Sequence, residues 1–414
     1  MNKWKYTTLG KISEIITGPF GSQLHQSDYV EQGIPVVMPQ DIDDRKVNYV
    51  AINYVANKDA IRLERYKTIT NDILYARRGD VEKHAFIGRK DSGALCGTGC
   101  LRVRITTPEV EPEFVSFFLN KKETRKWLVT HAVGTNMPNL NTDILSEVPI
   151  AYPLIGEQRK MVRVLNSLDR KIAINSAIND NLEQQAKLIY DYWFTQFDFP
   201  DKNGKPYCSS GGKMVWNEQL KRNIPENWNV IPLLKLVSWE SNSQPPKSEF
   251  VYEPKEGYVR FIQNRDYDSD THITYIPRTK NLSIVDRFDI LMDKYGDAGA
   301  VRYGIEGAFN VALGKICVHN PNYREYIRSF LGSDGIYKFL HNSCMASTRA
   351  SLSEANLEIL NVVVPDEKII LDYENFLHKI RVSILKNKDE TVELINLRDW
   401  LLPMLMNGQA TISD

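Results

Sequence analysis

Two stretches of the chain carry the same ladder of apolar positions, spaced alternately three and four residues apart. The first runs from Leu165 to Trp193 and the second from Leu377 to Leu405, 212 positions later. This spacing is typical of the a and d positions along a coiled-coil seam. The predicted seam residues are Leu165, Leu168, Ile172, Asn175, Leu182, Ile189, Ile380, Ile384, Asn387, Leu394 and Leu401. We therefore predict two helices of about 40 residues that pair with each other, the alternative being two unrelated amphipathic helices.

The polar position of the first seam, Asn175, has Asn387 as its counterpart in the second. An Asn inside such a seam lowers stability but fixes register and orientation. The two helices are therefore expected to pair in one fixed register. One extra heptad between Asn175 and Leu182 would keep the seam in phase and lengthen the helix by about 10 Å.

The repeat extends through the rest of the chain. Trp4 matches Trp228 at an offset of 224, and the run 72–74 matches 289–291 at an offset of 217. The predicted fold is α+β, with two tandem domains that are each followed by a long helix. The predicted boundaries are 1–152 for the first domain, 153–200 for its helix, 201–226 for a Gly/Ser/Pro-rich linker, 227–366 for the second domain and 367–408 for its helix.

Inside each domain the pattern favours short strands. The run 101–105 alternates apolar and basic residues, as a half-buried strand does, and glycine precedes the β-rich runs 34–38 and 258–262. Strands are also predicted at 73–75 and 290–292. A single short helix is predicted at 112–128 in the first half, with a counterpart from Tyr326 to Leu340.

Composition restricts the chemistry. The 52 basic residues balance 52 acidic ones, so net charge gives no support for nucleic-acid binding, which must depend on local groups. The five cysteines form no metal-binding spacing and indicate idle thiols in a reducing cytosol. No run is apolar and long enough to span a membrane, and the first ten residues lack a signal-peptide core. The expected location is the cytoplasm.

A series of motifs in order along the chain resembles a known family. The runs 18–22 (GPFGS) and 33–35 (GIP) look like the opening of a target-recognition domain of type I restriction–modification specificity (S) subunits. Glu157-Gln158 and the run 192–194 (YWF), followed by 203–207, 210–214 and 224–228, resemble that family's central conserved region, and 401–408 its C-terminal region. The second half departs from the pattern at 245–248 and 365–368, so its first loop is expected to differ.

The resemblance implies a non-catalytic subunit with two target-recognition domains, each reading one half of a split, asymmetric site in double-stranded DNA. It also implies that the helices pair as an antiparallel coiled coil and space the domains apart like a ruler. They would dock two methyltransferase (modification) subunits, through which restriction helicase-nuclease subunits join the complex, in the cytoplasm of a bacterium or archaeon. S-adenosylmethionine, ATP and Mg²⁺ are expected on those partner subunits, with no cofactor in this chain and no membrane partner. The alternative function is an architectural helix-pairing scaffold without sequence-specific DNA readout.

Motifs for catalysis are missing from the sequence. There is no glycine-rich cofactor loop with an Asn/Asp-Pro-Pro-aromatic run, and no Gly-x-x-x-x-Gly-Lys-Ser/Thr loop. A nuclease would need an Asp followed by Glu-x-Lys, whereas runs 80–83 and 365–368 place Glu and Lys side by side, on opposite faces of a strand. We therefore predict no catalytic residue and no metal site.

Candidate DNA contacts lie in predicted loops. Arg pairs with guanine, and Asn or Gln with adenine, which makes these residue types suited to base readout, although each is also an ordinary surface residue. Ser22 falls in the loop 18–22, which resembles the family motif. The candidates are Ser22, Gln40, Asp41, Arg77, Arg78, Lys83, Thr135, Asn136, Gln263, Asn264, Arg265, Lys294, Tyr295, Arg302, Ser347, Thr348 and Arg349. Thr135, Asn136 and residues 347–349 suit phosphate contacts or turn capping equally.

Overall fold

The computed structural model describes residues 4–134, 138–268, 272–345 and 351–412. The chain divides into two units, and each combines a globular domain with parts of both long helices. The first unit contains residues 1–173 and 391–414, and the second contains residues 174–390. This division follows from the sequence repeat, because each domain packs on the start of the long helix that follows it and on the end of the other long helix.

The strands of the first unit are β1 (Lys5–Thr8), β2 (Ser13–Thr17), β3 (Tyr29–Val30), β4 (Ile34–Val37), β5 (Ile42–Asp43), β6 (Lys46–Val47), β7 (Asn53–Val55), β8 (Ile73–Ala76), β9 (His84–Phe86), β10 (Leu95–Cys96), β11 (Cys100–Ile105) and β12 (Pro149–Tyr152). Its helices are α1 (Leu9–Ile12), α2 (Asn57–Arg62), α3 (Pro112–Leu119), α4 (Lys122–His131), α5 (Thr142–Ser146) and the first part of α6 (Ile155–Tyr190).

The strands of the second unit are β13 (Met214–Asn217), β14 (Arg222–Pro225), β15 (Asn229–Pro232), β16 (Val237–Glu240), β17 (Tyr258–Ile262), β18 (Tyr275–Pro277), β19 (Ile284–Val285), β20 (Ile290–Asp293), β21 (Val301–Arg302), β22 (Gly307–Phe309), β23 (Leu313–Val318) and β24 (Asn361–Val364). Its helices are the end of α6, α7 (Arg324–Leu331), α8 (Asp334–Met345), α9 (Glu354–Leu357) and most of α10 (Glu367–Met406).

The two units share one sheet topology. The sheet β2-β11-β8-β9 in the first corresponds to β16-β23-β20-β21 in the second, and the pair β1-β12 corresponds to β15-β24. A parallel pairing recurs as well, between β4 and β10 and between β17 and β22. The predicted tandem α+β repeat is thus confirmed, as are the strands at 34–38, 73–75, 101–105, 258–262 and 290–292.

Strand β11 shows how the sequence pattern produces the fold. Leu101 and Val103 are buried in the core of the first unit, and the alternate residues point to the other face. There Arg102 donates to the Glu14 carboxylate at 3.1 Å, and Arg104 donates to that of Asp72 at 2.7 Å. The alternation of apolar and basic residues therefore places the apolar face of β11 in the core. The basic residues on its opposite face pair with carboxylates of neighbouring segments.

The predicted single helix at 112–128 is wrong in its extent. The structure divides it into α3 and α4, and the counterpart from Tyr326 to Leu340 is divided into α7 and α8. The break in the first unit falls at Asn120 and Lys121, and Lys121 has an extended backbone. Apolar periodicity persisted across this break because both short helices bury their apolar faces in the same core.

Helices α6 and α10 run antiparallel within each unit. In the second unit Asn175 donates to Glu390 at 2.8 Å, and Asn387 donates to Asn179 at 2.9 Å. In the first unit, Arg398 donates to Asp169 at 3.1 Å. Residue numbers along α10 therefore decrease as those along α6 increase, which is an antiparallel arrangement. Every predicted seam residue is buried or half-buried. Each asparagine thus bonds to a residue near its counterpart.

Gln158 fixes the start of α6 on the first domain. Its buried side-chain amide accepts from the Glu111 N–H at 2.8 Å and donates to the carbonyls of Glu109, at 3.0 Å, and Pro153, at 2.8 Å. One side chain therefore satisfies three backbone groups where domain and helix join. This is a physical reason for the Glu157-Gln158 motif.

The segment predicted as a linker, 201–226, differs from that expectation because it is folded against the second unit. It forms the hairpin β13-β14, and Tyr207 stacks on Phe199 with ring centroids 4.7 Å apart. Ile224 is part of the second unit's core. The Gly, Ser and Pro content predicted flexibility, but the aromatic and apolar residues between them supply enough buried surface to order the segment.

Candidate nucleic-acid interface

The strongest candidates follow the central strands of the two equivalent sheets. Strand β8 leads into the turn 77–80, and strand β20 leads into the turn 294–297. Each has a glycine at its third position, Gly79 with φ of 76° and Gly296 with φ of 72°. This left-handed conformation favours glycine, since a Cβ there approaches the following carbonyl oxygen. Both turns therefore have the same backbone shape.

Backbone hydrogen bonds hold the first turn in place. The Arg77 N–H donates to the Gly99 carbonyl at 2.8 Å, and the Arg77 carbonyl accepts from the Leu140 N–H at 2.9 Å. The Arg77 side chain is half-buried, whereas that of Arg78 is exposed. Arg78 is therefore the side chain that this turn presents outward.

The second turn is held by the same pattern of bonds. The Lys294 N–H donates to the Ala312 carbonyl at 2.8 Å, and the Lys294 carbonyl accepts from the Leu352 N–H at 3.0 Å. Lys294 is half-buried and Tyr295 is exposed, as their counterparts Arg77 and Arg78 are. The structure therefore presents an arginine in one unit and a tyrosine in the other from one backbone frame.

A second pair of matching turns follows β4 and β17. In the first unit Asp41 is buried, and its carboxylate accepts from the Met38 N–H at 2.8 Å. In the second unit the Asp266 carboxylate accepts from the Gln263 N–H at 3.1 Å. Burial raises the pKa of Asp41, while the bond from Met38 acts in the opposite direction. The predicted candidate Asp41 therefore closes the turn and is not part of its exposed surface.

The residue before each of these aspartates points outward. Gln40 and its counterpart Arg265 are both exposed. Asn264 and Gln263 are half-buried, and the Gln263 amide donates to the Thr274 hydroxyl at 3.1 Å. Gln40 in one unit and Arg265 in the other thus form a second matched position with different side chains.

Close backbone contacts bring the loops of the first unit together. The Gly18 N–H donates to the Cys100 carbonyl at 2.9 Å, and the Gly97 N–H donates to the Val37 carbonyl at 2.9 Å. A Cβ on Gly97 would lie 2.7 Å from that same Val37 oxygen, so the approach requires glycine there. Ser22 is exposed in the loop that Gly18 begins. Loops from four parts of the sequence therefore meet next to the turn 77–80.

Two predicted basic contacts are already paired within the fold. Lys83 lies 3.1 Å from the Asp80 carboxylate in a partly exposed pair. Arg302 lies 2.8 Å from Asp293 and 3.4 Å from Asp297, and its guanidinium faces the ring of Tyr267 at 5.7 Å. DNA phosphates would have to compete with these carboxylates, so both residues are weaker candidates than Arg78; Arg265 has a longer ion pair, 3.9 Å from the Asp266 carboxylate.

Five candidates lie outside the described residues. They are Thr135, Asn136, Ser347, Thr348 and Arg349. Their roles stay predictions.

The sequence prediction missed the ion pairs that fasten each domain to the helices. In the first unit Arg45 lies 2.9 Å from Asp169 of α6 and 3.4 Å from Glu113 of α3. In the second unit Arg381 of α10 lies 3.0 Å from the buried Glu325 of α7 and also pairs with Glu183. We call these two groups the domain clamps.

A signal for the clamps was present in the heptads. Asp169 and Arg381 occupy equivalent positions, each directly after a d residue, where charged residues of coiled coils choose partners. Their charges are opposite. Comparing the charges of the residues that directly follow equivalent d positions would therefore have indicated that each domain forms its own ion pairs with the helices.

Among the residues that the structure describes, no group of three or more His, Cys, Asp or Glu side chains has metal-binding geometry. No described helix has the length and apolar character needed to cross a membrane. The five cysteines are free thiols.

Known proteins similar to this chain form one family. A family model described as the type I restriction modification DNA specificity domain matches residues 1–184. The HindI specificity subunit of Haemophilus influenzae is 22% identical, over 99% of this chain and 100% of its own length. The MjaIX specificity subunit of Methanocaldococcus jannaschii is 24% identical, over 74% of this chain and 70% of its own.

A solved structure has the same fold. The S subunit of a type I restriction–modification system from M. genitalium superposes with a TM-score of 0.63 at 16% identity, over 98% of this chain and 96% of that one. At this identity the likeness concerns the fold alone, and it covers both tandem domains and both long helices.

Proposed function

Because this chain is similar to type I restriction–modification specificity subunits in sequence and fold, we propose that it is such a subunit and selects the DNA sequence for the complex. It reads a split, asymmetric site in double-stranded DNA, with one half-site for each domain. The observation that carries this proposal is the matched pair of turns, 77–80 and 294–297. One backbone frame presents Arg78 in one unit and Tyr295 in the other, as two readers of different sequences would need.

The proposal includes the absence of catalysis by this chain. Methyl transfer and cleavage belong to partner subunits, which would bind S-adenosylmethionine, ATP and Mg²⁺. The sequence motifs for those reactions are missing, and the described residues offer no metal-binding cluster. Purified chain, incubated with DNA and S-adenosylmethionine without partners, should transfer no methyl group. Stoichiometric transfer would contradict this part of the proposal.

The partners are two methyltransferase subunits that dock on the long helices, with the restriction subunits joining through them. The outer faces of these helices carry exposed apolar side chains, which a folded protein rarely leaves uncovered in clusters. Trp400 of α10 is 60% exposed, and Leu397 lies one helical turn earlier and is also exposed. In the second unit Ile174, Ile178 and Leu188 of α6 are exposed as well.

The decisive experiment determines the methylation motif of the assembled complex. Genomic DNA from cells expressing the chain with its methyltransferase is sequenced for modified bases. Exchanging residues 77–80 for the sequence of 294–297 should change one half-site and leave the other unchanged. The reverse exchange should change only the other half-site. If neither exchange alters the motif in an active complex, the turns do not read bases, and the scaffold alternative gains support.

The helix ruler has its own test in the same assay. One heptad inserted between Asn175 and Leu182 keeps the seam in phase and lengthens α6 by about 10 Å. The half-site bases should stay the same, while the unspecified spacer lengthens by about 3 base pairs. An active variant with altered bases or with the original spacer would contradict the ruler.

A further inference from the structure

The two units differ at the residue before their first shared strand. Trp228 precedes β15 and is only 3% exposed, whereas its counterpart Trp4, before β1, is half-buried. Two residues further, Tyr6 is 82% exposed, and its counterpart Val230 is half-buried against the core of the second unit. The surface around Trp228 is thus covered in the second unit. In the first unit, the described residues leave the equivalent surface around Trp4 partly exposed.

Aromatic side chains that follow α6 cover Trp228. The ring of Phe197 meets the indole edge-on with centroids 5.6 Å apart, and Phe199 stacks on it at 4.6 Å. Tyr207 then stacks on the outer face of Phe199. Such pairs stabilise beyond the apolar area they bury. This segment is therefore the built-in occupant of the site around Trp228.

The corresponding residues after α10, 407–414, include no aromatic residue. Phe197 has a φ of 63°, and Gly408 has a φ of 69°. The N–H of Asp198 donates to the Tyr192 carbonyl six residues back, and that of Gln409 donates to the Met404 carbonyl five residues back, both at 2.9 Å. The first helix end is one residue longer because Asp191–Thr195 form a turn of π-helix. Gly408 thus stands in the place of Phe197, and Ala410, two residues on, in that of Phe199.

A groove results beside Trp4. Its volume is about 880 Å³, and it is lined mainly by Trp4, Tyr6, Phe118, Ile150, Met406 and Gly408. A Cβ on Gly408 would lie 2.7 Å from the Trp4 indole nitrogen, so the Gly408 backbone packs directly against one edge of the indole and no side chain covers the indole from this position. The lining is thus aromatic and aliphatic, like the surface under Phe197 and Phe199.

The groove also contains a buried positive charge. Lys121 is 7% exposed, and its ammonium donates to the Asn407 side chain and lies 4.3 Å from the centre of the Phe118 ring. Burial lowers the pKa of Lys121. The charge of Glu123 acts in the opposite direction, but no described carboxylate lies within ion-pair distance of Lys121. Glu157, also in the lining, pairs with Lys160 at 3.6 Å. An occupant with a carboxylate would compensate this charge.

We propose that this groove binds an extended segment of a partner protein in which two aromatic residues flank an acidic one. The chain's own run Phe197-Asp198-Phe199 has this composition and occupies the equivalent site in the second unit. The aromatic residues would cover Trp4 as Phe197 and Phe199 cover Trp228. The acidic residue would approach Lys121. The proposal concerns protein docking and does not depend on DNA reading.

The test measures peptide binding by the full chain. The probe is a fluorescein-labelled synthetic peptide with the sequence of residues 194–207, followed by fluorescence anisotropy. The control peptide carries Phe197→Ala and Phe199→Ala. The control should bind about four- to a hundredfold more weakly, because each of the two lost aromatic contacts removes about a factor of two to ten. Equal affinity for the two peptides would overturn the proposal.

Variants of the chain locate the binding. Gly408→Phe places a Cβ within 2.7 Å of the Trp4 indole nitrogen, so it disrupts the groove and should abolish binding of the 194–207 peptide. Tyr6→Ala removes an exposed wall of the groove, leaves the core intact and should weaken binding a few-fold to about tenfold. Tyr252→Ala, a similarly exposed tyrosine of the second unit, is the matched control and should change nothing. Unchanged binding in Tyr6→Ala would overturn the proposal even if Gly408→Phe fails to fold.

A second copy of this chain is the competing occupant. Sedimentation velocity of the wild-type chain over a range of concentrations should show no association that Gly408→Phe removes. A dimer that disappears in Gly408→Phe would assign the groove to self-association and would overturn the proposal.

Discussion

The turns 77–80 and 294–297 have the same backbone and, except for glycine and aspartate, different side chains. Their glycines share one conformation, and the residues before them make the same two backbone hydrogen bonds. The domain clamps show the same relation, with Asp169 in one helix where Arg381 stands in the other. The repeat therefore preserves what shapes the backbone and changes what a partner or a neighbouring domain contacts.

The two domain clamps differ in how deeply their ion pairs are buried, as well as in the sign of the charge that the helix contributes. Arg381 and Glu325 are both buried, and the ring of Tyr303 lies under the Arg381 guanidinium. Arg45 is nearly buried as well, but its partner Asp169 is a quarter exposed and also pairs with Arg398. Removing one charge should therefore leave a more isolated partner in the second unit than in the first.

The largest expected effect is at the deeper clamp. Arg381→Met leaves the Glu325 carboxylate buried with only Arg328 beside it and should lower the free energy of unfolding by about 3 kcal/mol or more. Arg45→Met should cost about 1–2 kcal/mol, because Asp169 keeps Arg398 and some water. Urea unfolding, with hydrogen exchange to localise the loss, measures both. Lys221→Met, in the exposed pair with Glu218, is the control; equal losses for Arg381→Met and Arg45→Met would remove the contrast.

The next effect concerns readout by the matched turns. Arg78→Ala in the assembled complex should weaken recognition at one half-site by about 1–3 kcal/mol and relax one base position. Tyr295→Ala should act on the other half-site alone. Competition binding with sites altered in each half measures the affinity. Uniform weakening for all sequences would instead identify Arg78 as a phosphate contact, and no change would identify it as a surface charge. Arg77→Ala tests the half-buried neighbour in the same way.

The two units should respond to pH in opposite directions. In the first, burial lowers the pKa of His84 to about 3 from 6.5, and Arg45 and Arg125 add to this, while Asp44 and the bond to Ser116 oppose it. The unfolded chain then binds more protons, so the His84 contribution is present above pH 6.5 and is lost as the pH falls. The loss approaches about 1 kcal/mol for each pH unit.

In the second unit, burial raises the pKa of Glu374 to about 7 from 4.5, and the nearby Glu325 raises it further, against the bond from the Glu325 N–H and the charges of Arg324 and Arg328. This contribution is present below pH 4.5 and is lost as the pH rises toward 7. It should be below about 1 kcal/mol per pH unit, since the carboxyl is partly exposed. Hydrogen exchange of each unit at pH 5 and 7.5 measures both trends. His84→Gln should reduce the pH dependence of stability in the first unit only, and Glu374→Gln should reduce it in the second unit only.

The smallest effect should be the same in both units. Gly79→Ala and Gly296→Ala each place a Cβ on left-handed backbone and should cost about 1 kcal/mol. Gly21→Ala is the matched control, because Gly21 has no positive φ and an added Cβ would meet nothing within 4 Å. Thermal unfolding measures all three. A clearly larger cost for one of the two turns would show that their backbones are not equivalent.

The sequence alone determined the repeat and the helix pair. The seam from Leu165 to Trp193 and its copy from Leu377 depend on a periodicity that each helix carries by itself. The alternation in 101–105 likewise predicted β11, since strand geometry is local. The candidate turn 77–80 was found because arginines next to a glycine followed a predicted strand.

Only the tertiary structure decided which residues meet across the sequence. It paired Asn175 with Glu390 and Asn387 with Asn179, buried Asp41 under its own turn and brought Arg45 to Asp169. It also covered Trp228 and left Trp4 beside a groove. These outcomes depend on the packing of segments that are distant in sequence. Periodicity indicates that a face is buried, but the residue that covers it is decided only when the elements pack together.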